Sequence, residues 1–251
     1  MNTGPREWDA DTYDEVSDPQ FAWGTEVLER LELRGDETVL DAGCGSGRIT
    51  AELLKRLPQG RLIAVDGSEA MIAKARQRLG KEVAYLVADL AELQIAEPVD
   101  LIFSTATFHW ITDHDRLFAC LRRALKPGGR LVAQCGGRGN VAEYAKVIAA
   151  AAGRPQFAAH FEGMPAMWNF AAPEETEDRL RAAGFSAARC RLQTKPVTPA
   201  KPLEFITTVT LGPHLAQLPE ELRRPFAETV LAEAGEPLTL DYIRLNIEAR
   251  A

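Results

Sequence analysis

Cysteine is sparse in this 251-residue chain, and its four copies, Cys44, Cys120, Cys135 and Cys190, form no Cys-x-x-Cys pair. Without that pairing, and with no paired-histidine spacing, a zinc ribbon or finger is excluded; free thiols in a reducing compartment are expected, with no metal. Basic charge is also short. Lys and Arg number 29 against 36 Asp and Glu, a net charge of -7, which leaves no overall positive field for a nucleic-acid backbone. No apolar run approaches the about 18 residues of a membrane span. The first residues carry Arg6, Glu7, Asp9, Asp11, Asp14 and Glu15, the reverse of a signal peptide. Neither a nucleic-acid nor a membrane partner is expected, and the expected location is cytoplasmic. Internal repeats and low-complexity linkers are missing too.

What is present is 46% hydrophobic content, enough for a packed α/β core, arranged as alternating strand and helix patterns. The chemistry is concentrated in Thr38-Val39-Leu40-Asp41-Ala42-Gly43-Cys44-Gly45-Ser46-Gly47-Arg48. An aliphatic run ends in an aspartate, passes three glycines spaced two apart, and opens into an amphipathic stretch with Ile49, Leu53 and Leu57. That pattern reads as strand, tight turn, helix. Glycine takes positive φ and has no Cβ, so a ligand can lie against the backbone beside the N–H groups at the helix start. The third glycine comes one residue early for the dinucleotide fingerprint. A carboxylate before the first glycine would repel a pyrophosphate, yet it suits a ligand bearing an ammonium group.

Asp41-Ala42-Gly43-Cys44-Gly45-Ser46-Gly47 resembles the first motif of class I S-adenosylmethionine-dependent methyltransferases, and Leu125-Lys126-Pro127-Gly128-Gly129-Arg130 resembles a second hallmark of that family. The resemblance implies a doubly wound, Rossmann-like, mostly parallel seven-stranded sheet with an antiparallel last strand and a helical cap over its carboxyl edge. It also implies S-adenosylmethionine as cofactor, leaving as S-adenosylhomocysteine. A single domain is expected: a lead-in lid at 1–35, a cofactor core at 36–137, cap insertions with strand six at 138–236, and a last strand at 237–251. The likeness is strong over 38–137 and weak beyond.

Along the chain, 61–66 reads as a buried strand ending in Asp66, about twenty residues past the glycines, where an acid accepts hydrogen bonds from ribose hydroxyls. Ser68 caps the next helix. Met71 stands at core spacing, although the resemblance sets it against adenine. A third strand at 83–88 runs into Asp89-Leu90; this acid matches the family position for the adenine amino group, or is a turn former. The fourth strand, 99–104, delivers Ser104 and Thr105. The implied cofactor set is Asp41, Ala42, Gly43, Cys44, Gly45, Gly47, Asp66, Gly67, Ser68, Met71, Asp89, Leu90, Ser104 and Thr105. Later come a helix at 113–125, a strand at 130–134, a helix at 141–152, and an aromatic stretch at 157–170 that is either satellite core or pocket wall. A helix at 173–183, a strand at 187–194, helices at 202–211 and 219–234, the second kinked at Pro225, and a last strand at 238–249 complete the chain.

The aromatic lead-in, Phe108-His109-Trp110 and Asp241-Tyr242-Ile243-Arg244-Leu245 resemble the trans-aconitate methyltransferase group. A carboxylate acceptor is ionised at neutral pH and needs a cation rather than a base. Arg138 and Arg244 are the candidates, with Tyr13, Gln20, Trp23, His109 and Trp110 beside the acceptor. A phenol or amine acceptor would instead make His109 the general base. Two other readings stay open: a non-catalytic protein that keeps the cofactor pocket, and an NAD-dependent oxidoreductase. The expected partner is a small-molecule methyl acceptor, and the expected assembly a monomer or homodimer.

Overall fold

The computed structural model describes residues 10–251; residues 1–9, the start of the expected lid, lie outside the described residues. Two helices, α1 Ala10–Val16 and α2 Asp18–Glu29, lead into the alternating part of the chain. There β1 Thr38–Ala42, α3 Arg48–Leu54, β2 Arg61–Asp66, α4 Glu69–Leu79, β3 Ala84–Val87, β4 Val99–Thr105, α5 His114–Ala124 and β5 Leu125–Gly136 follow one another. Then come α6 Ala142–Ala152, α7 Ala158–Phe161, α8 Pro173–Ala182, β6 Ala187–Thr194, α9 Pro202–Phe205, α10 Gly212–Gln217, α11 Glu220–Ala234 and β7 Ile243–Arg250. The strands form one sheet in the order β3-β2-β1-β4-β5-β7-β6, with β7 antiparallel to both neighbours. The order reverses between β1 and β4, so a crevice opens beyond their carboxyl ends.

Period-two alternation divides the strand residues between two cores. Val39, Leu62, Leu101 and Phe103 pack with Val27, Leu53 and Ile72 on one face, while Leu40, Val65, Ile102 and Leu131 pack with Leu117, Phe118 and Leu180 on the other. Each such buried side chain contributes about 1.5–3 kcal/mol. A third core belongs to the cap: Tyr144, Ile148, Phe157, Phe205, Phe226 and Leu240 join Val16 and Trp23 from the lead-in. The cap is thus a packed body in its own right, held over the carboxyl edge of the sheet.

Several boundaries differ from the expected ones. Helix α5 ends at Ala124, and Lys126-Pro127-Gly128-Gly129 belongs to an extended β5 whose pairing slips between Val99 and Leu101. Residues 202–211 do not form one helix: α9 gives way to a turn of π-helix, Ile206–Thr210, closed by Leu211 N–H on the Ile206 carbonyl at 2.7 Å. Helix α11 runs through Pro225 unbroken; the proline stands just past the first turn and removes one intrahelical bond. The last strand starts at Ile243 because Asp241 turns away to cap α6, accepting the N–H groups of Glu143 at 3.0 Å and Tyr144 at 3.5 Å.

Candidate functional site

The glycine loop is pinned to its neighbours by backbone bonds. The N–H groups of Gly43 and Cys44 both donate to the Val65 carbonyl, at 2.7 and 2.9 Å. At Gly43, φ 85°, a Cβ would lie 2.1 Å from Thr107 Oγ1; at Gly45, φ 54°, nothing stands within 4 Å of one. The first glycine permits close packing, and the second leaves bare backbone for a ligand. Asp66 braces the loop, one carboxylate oxygen accepting Gly45 N–H at 2.9 Å and the other Ser68 N–H at 2.9 Å. Gly67 lies between Asp66 and Ser68, and Gly47 starts α3.

Asp41 is 2% exposed and accepts the Thr50 hydroxyl at 2.7 Å. Burial pushes its carboxyl up to about 7, against the Thr50 bond and reinforced by the Asp66 charge. A ligand ammonium brought to this loop would offset both and favour the ionised form. Asp89 follows β3 and caps the short turn Leu90–Glu92 through Ala91 N–H at 2.8 Å. Three acids therefore stand at the carboxyl ends of three adjacent strands. Ser68 caps α4 by accepting Met71 N–H at 3.2 Å.

Some expected contacts are committed to the fold instead. Ser104 spends its hydroxyl on the Ala42 carbonyl at 2.6 Å, stapling β4 to β1 across the reversal. Leu90 and Ala42 are built into the α5-side core, and Met71 is 2% exposed. The Cys44 thiol is held well above its usual 9.0 by burial, with Asp41 and Asp66 adding to the shift, so it stays protonated. Thr105 offers its carbonyl to Thr107 at 3.0 Å.

Helices α1 and α2 lie across the loop. Asp14 accepts the Ser46 hydroxyl and the Arg78 guanidinium, while Arg48 reaches back to the Asp14 carbonyl at 2.9 Å, Ser17 at 3.3 Å and Asp18 at 2.9 Å. This latch brings Tyr13 and Gln20 to the lining of a second cleft, of about 40 Å³, beneath the cap. Tyr13 stands between the two halves: burial raises its phenol to about 12, and it feels both Asp66 and Arg244.

One wall of that cleft is aromatic. His109 stacks on Phe170 at 5.8 Å, Phe170 on Trp168 at 5.5 Å, and Trp168 meets Trp110 edge-on at 6.0 Å. Asn169 holds the wall together, its N–H on the His109 carbonyl at 2.9 Å and its side chain on the Thr112 carbonyl at 2.8 Å. The opposite side receives Val209 and Thr210 from the π-turn, Asn140 and Val141 from the β5–α6 connection, and Tyr242. Ala106 and Val141 line the cleft with φ of 58° and 50°, strained conformations of the kind that gather at functional sites.

Arg244 is the floor of the cleft. It lies opposite Gly136 on β5 and Gln193 on β6, is 2% exposed, and sits with its guanidinium carbon 4.7 Å from the centre of the Trp23 ring. Its Nε and Nη2 have no partner among the described residues. Burial lowers its pKa from 12.5, yet an arginine stays charged. The side-chain carbonyl of Gln20, on the same cleft, is likewise buried and unpartnered.

His109 departs from the expected base. Its Nδ1 accepts Gly136 N–H at 3.3 Å, and burial, then the Arg244 and His114 charges, hold its pKa well below 6.5. Assigned from that bond, the proton is on Nε2, and the ring presents a donor. Arg138 is corrected outright: it is a surface residue, paired with Glu174 at 3.2 Å and Glu175 at 3.6 Å. Trp23 lies behind Arg244 as its platform rather than on the cleft. The sequence reading missed Asn140, Val141, Val209 and Thr210, none of which carries a local signal beyond the glycines at 136–139.

Residues 39–129 match a family described as a methyltransferase domain. The chain is 32% identical to trans-aconitate 2-methyltransferase of Methylobacterium nodulans, over 97% of this chain and 98% of that protein. It is 42% identical to the enzyme of that name from Azoarcus sp., over 51% of this chain and 50% of the relative. Among solved structures, mycolic acid cyclopropane synthase CmaA1 complexed with SAH and CTAB superposes with a TM-score of 0.61 at 17% identity, covering 98% of this chain and 96% of that one. At that identity the likeness is one of fold.

Proposed function

Because the chain belongs to the class I S-adenosylmethionine-dependent methyltransferases, in the group of the trans-aconitate methyltransferases, we propose that it methylates a carboxylate oxygen of a small organic acid. One observation carries this reading: Arg244, a buried cation with two unpartnered donors, forms the floor of the acceptor cleft. Nε and Nη2 are the side-on fork that grips both oxygens of a carboxylate. Each gripped oxygen keeps a second lone pair.

When bound, S-adenosylmethionine supplies a methyl carbon made electrophilic by its sulfonium. Asp66 and the Gly45 backbone would hold its ribose, Asp41 its ammonium group, and Asp89 its adenine amino group. Tyr13 closes the boundary between cofactor and acceptor. An acceptor carboxylate held by Arg244 would already be ionised and carry the lone pair that such a donor needs, so no residue of this chain would have to take a proton. A neutral His109 with its lone pair engaged is therefore no handicap. The remaining tasks are positioning at about 3–3.5 Å and exclusion of water, which the aromatic wall and the latched lid serve.

The test is product analysis with a methyl-labelled donor and a panel of acids, phenols and amines, trans-aconitate among them because the relatives are named for it. Base-labile label recovered from acids is expected; label confined to phenols or amines overturns the reading.

A further inference from the structure

The acceptor cleft can be read more finely from its charges, on the premise that a carboxylate is methylated. Of the described residues lining it, Arg244 alone carries a formal charge at neutral pH. Two other arginines are committed elsewhere: Arg48 holds the lid through Asp14, Ser17 and Asp18, and Arg138 pairs with Glu174 and Glu175 on the surface. The neutral polar groups of the lining are partly engaged: the Thr210 hydroxyl and the Tyr144 phenol face one another at 3.2 Å, Thr210 also bonds the Ile206 carbonyl at 3.1 Å, and the Asn140 side-chain oxygen accepts Ile243 N–H at 2.9 Å. The Nε2–H of His109 remains as a donor, but an uncharged one. The apolar part of the lining is the Trp110, Trp168 and Phe170 wall, with Val209 on the other side.

We infer that the acceptor is a monocarboxylic acid with an apolar or aromatic body, whose single charge is taken by Arg244 and whose body lies against the Trp110–Trp168–Phe170 wall, in preference to a tricarboxylate. A tricarboxylate would satisfy Arg244 with one group and leave two more charges with no second cation among the described residues of the lining, and a buried charge without an ionic partner is strongly disfavoured. A monoacid leaves nothing uncompensated. Methylation then removes the only charge that Arg244 holds, so the neutral ester binds more weakly than the acid and leaves.

The experiment is calorimetry on the full chain saturated with S-adenosylhomocysteine, which cannot transfer a methyl group, using phenylacetate, octanoate, trans-aconitate, citrate and methyl phenylacetate. Phenylacetate and octanoate are expected to bind at least about tenfold more tightly than trans-aconitate or citrate, and the ester about tenfold more weakly than its acid. Trp168→Ala should weaken phenylacetate about tenfold while leaving trans-aconitate unchanged, with thermal unfolding confirming a folded variant. Labelled turnover should follow the same order. Trans-aconitate bound and methylated at least as well as the monoacids overturns this inference and leaves carboxylate methylation standing. No acid bound or methylated, with label passing to phenols or amines, overturns both.

Discussion

The cofactor side of the site draws its polar groups from one stretch, 41–89, whereas the acceptor cleft collects Tyr13, His109, Trp168, Val209 and Arg244 from nearly the whole chain. The first is made largely of backbone: the N–H groups of Gly43 and Cys44 are pinned to the Val65 carbonyl, and those of Gly45 and Ser68 to the Asp66 carboxylate. The second is made of side chains brought over the sheet edge by the cap. A site made of backbone is fixed by topology and tolerates few changes. One made of converging side chains can be refitted residue by residue while the sheet stays as it is, so donor chemistry and acceptor choice are separable in this molecule.

Arg244→Met should expose that separation most sharply. Removing one partner of a buried charge pair costs about 2–5 kcal/mol, so kcat/KM for the acid should fall on the order of a hundredfold or more, with cofactor affinity within about twofold. The same variant should raise the Tm of the ligand-free protein. The guanidinium gains about 0.5–2 kcal/mol from the Trp23 face, less than the several kcal/mol of desolvation that an unpaired buried ion carries. If instead cofactor binding collapses and the acceptor KM holds, Arg244 serves the carboxylate of the cofactor, and the two halves are not separable.

Asp66→Ala tests the other half. Gly45 and Ser68 would each lose a charged acceptor now at 2.9 Å, and such bonds are worth about 1.5–3 kcal/mol apiece. Cofactor Kd should rise about a hundredfold by calorimetry, with acceptor affinity for the loaded protein nearly unchanged. Equal losses on both sides would mean that the loop and the cleft move as one unit.

Asp41 gives the cofactor side a pH dependence that the acceptor side lacks. Its folded pKa of about 7 lies above its ordinary 3.8, so between those values the native state holds a proton that the unfolded chain has released. The resulting stability is fully present below about 4 and is lost as pH rises through about 7. Cofactor binding runs the opposite way, because the ionised carboxylate is the form that faces an ammonium. Cofactor affinity should therefore rise about tenfold from pH 6 to pH 8, and Asp41→Asn should flatten that rise. An unchanged slope in the variant would assign the titration to another group.

The same contrast explains what could be read from the chain. Asp41 through Gly47, Asp66 and Ser68 are legible because strand end, turn and cap are local patterns. The mostly parallel seven-stranded sheet with its antiparallel last strand followed from the motif that these residues share with a known family, and the cofactor assignment leaves the nicotinamide reading without support. Ser104 was legible only as a position: the partner of its hydroxyl is Ala42, which the pairing of β4 with β1 supplies. Arg138 and Arg244 stand as equal candidates in sequence, the first beyond the expected fifth strand and the second within the expected last one. They part when β7 pairs with β5, which buries Arg244 opposite Gly136 and leaves Arg138 two residues beyond it in solvent. Val209 and Thr210 depend on a π-turn that no local signal announces.

His109 should give the smallest change. A general base contributes on the order of 10²–10⁴-fold, so a base at this position would be unmistakable when removed. The ring instead spends Nδ1 on Gly136 N–H at 3.3 Å and stacks on Phe170 at 5.8 Å, a positioning role that a smaller acceptor can partly fill. In His109→Asn the amide oxygen can take over the Gly136 bond while the stacking is lost, so turnover with an acid acceptor should stay within about threefold and KM should carry most of the change. The pH profile separates the two roles. With burial holding the imidazole neutral well below 6.5, wild type and variant should share one profile above pH 6; a rising limb present in the wild type and missing in the variant would make His109 the base and return the acceptor to a phenol or an amine.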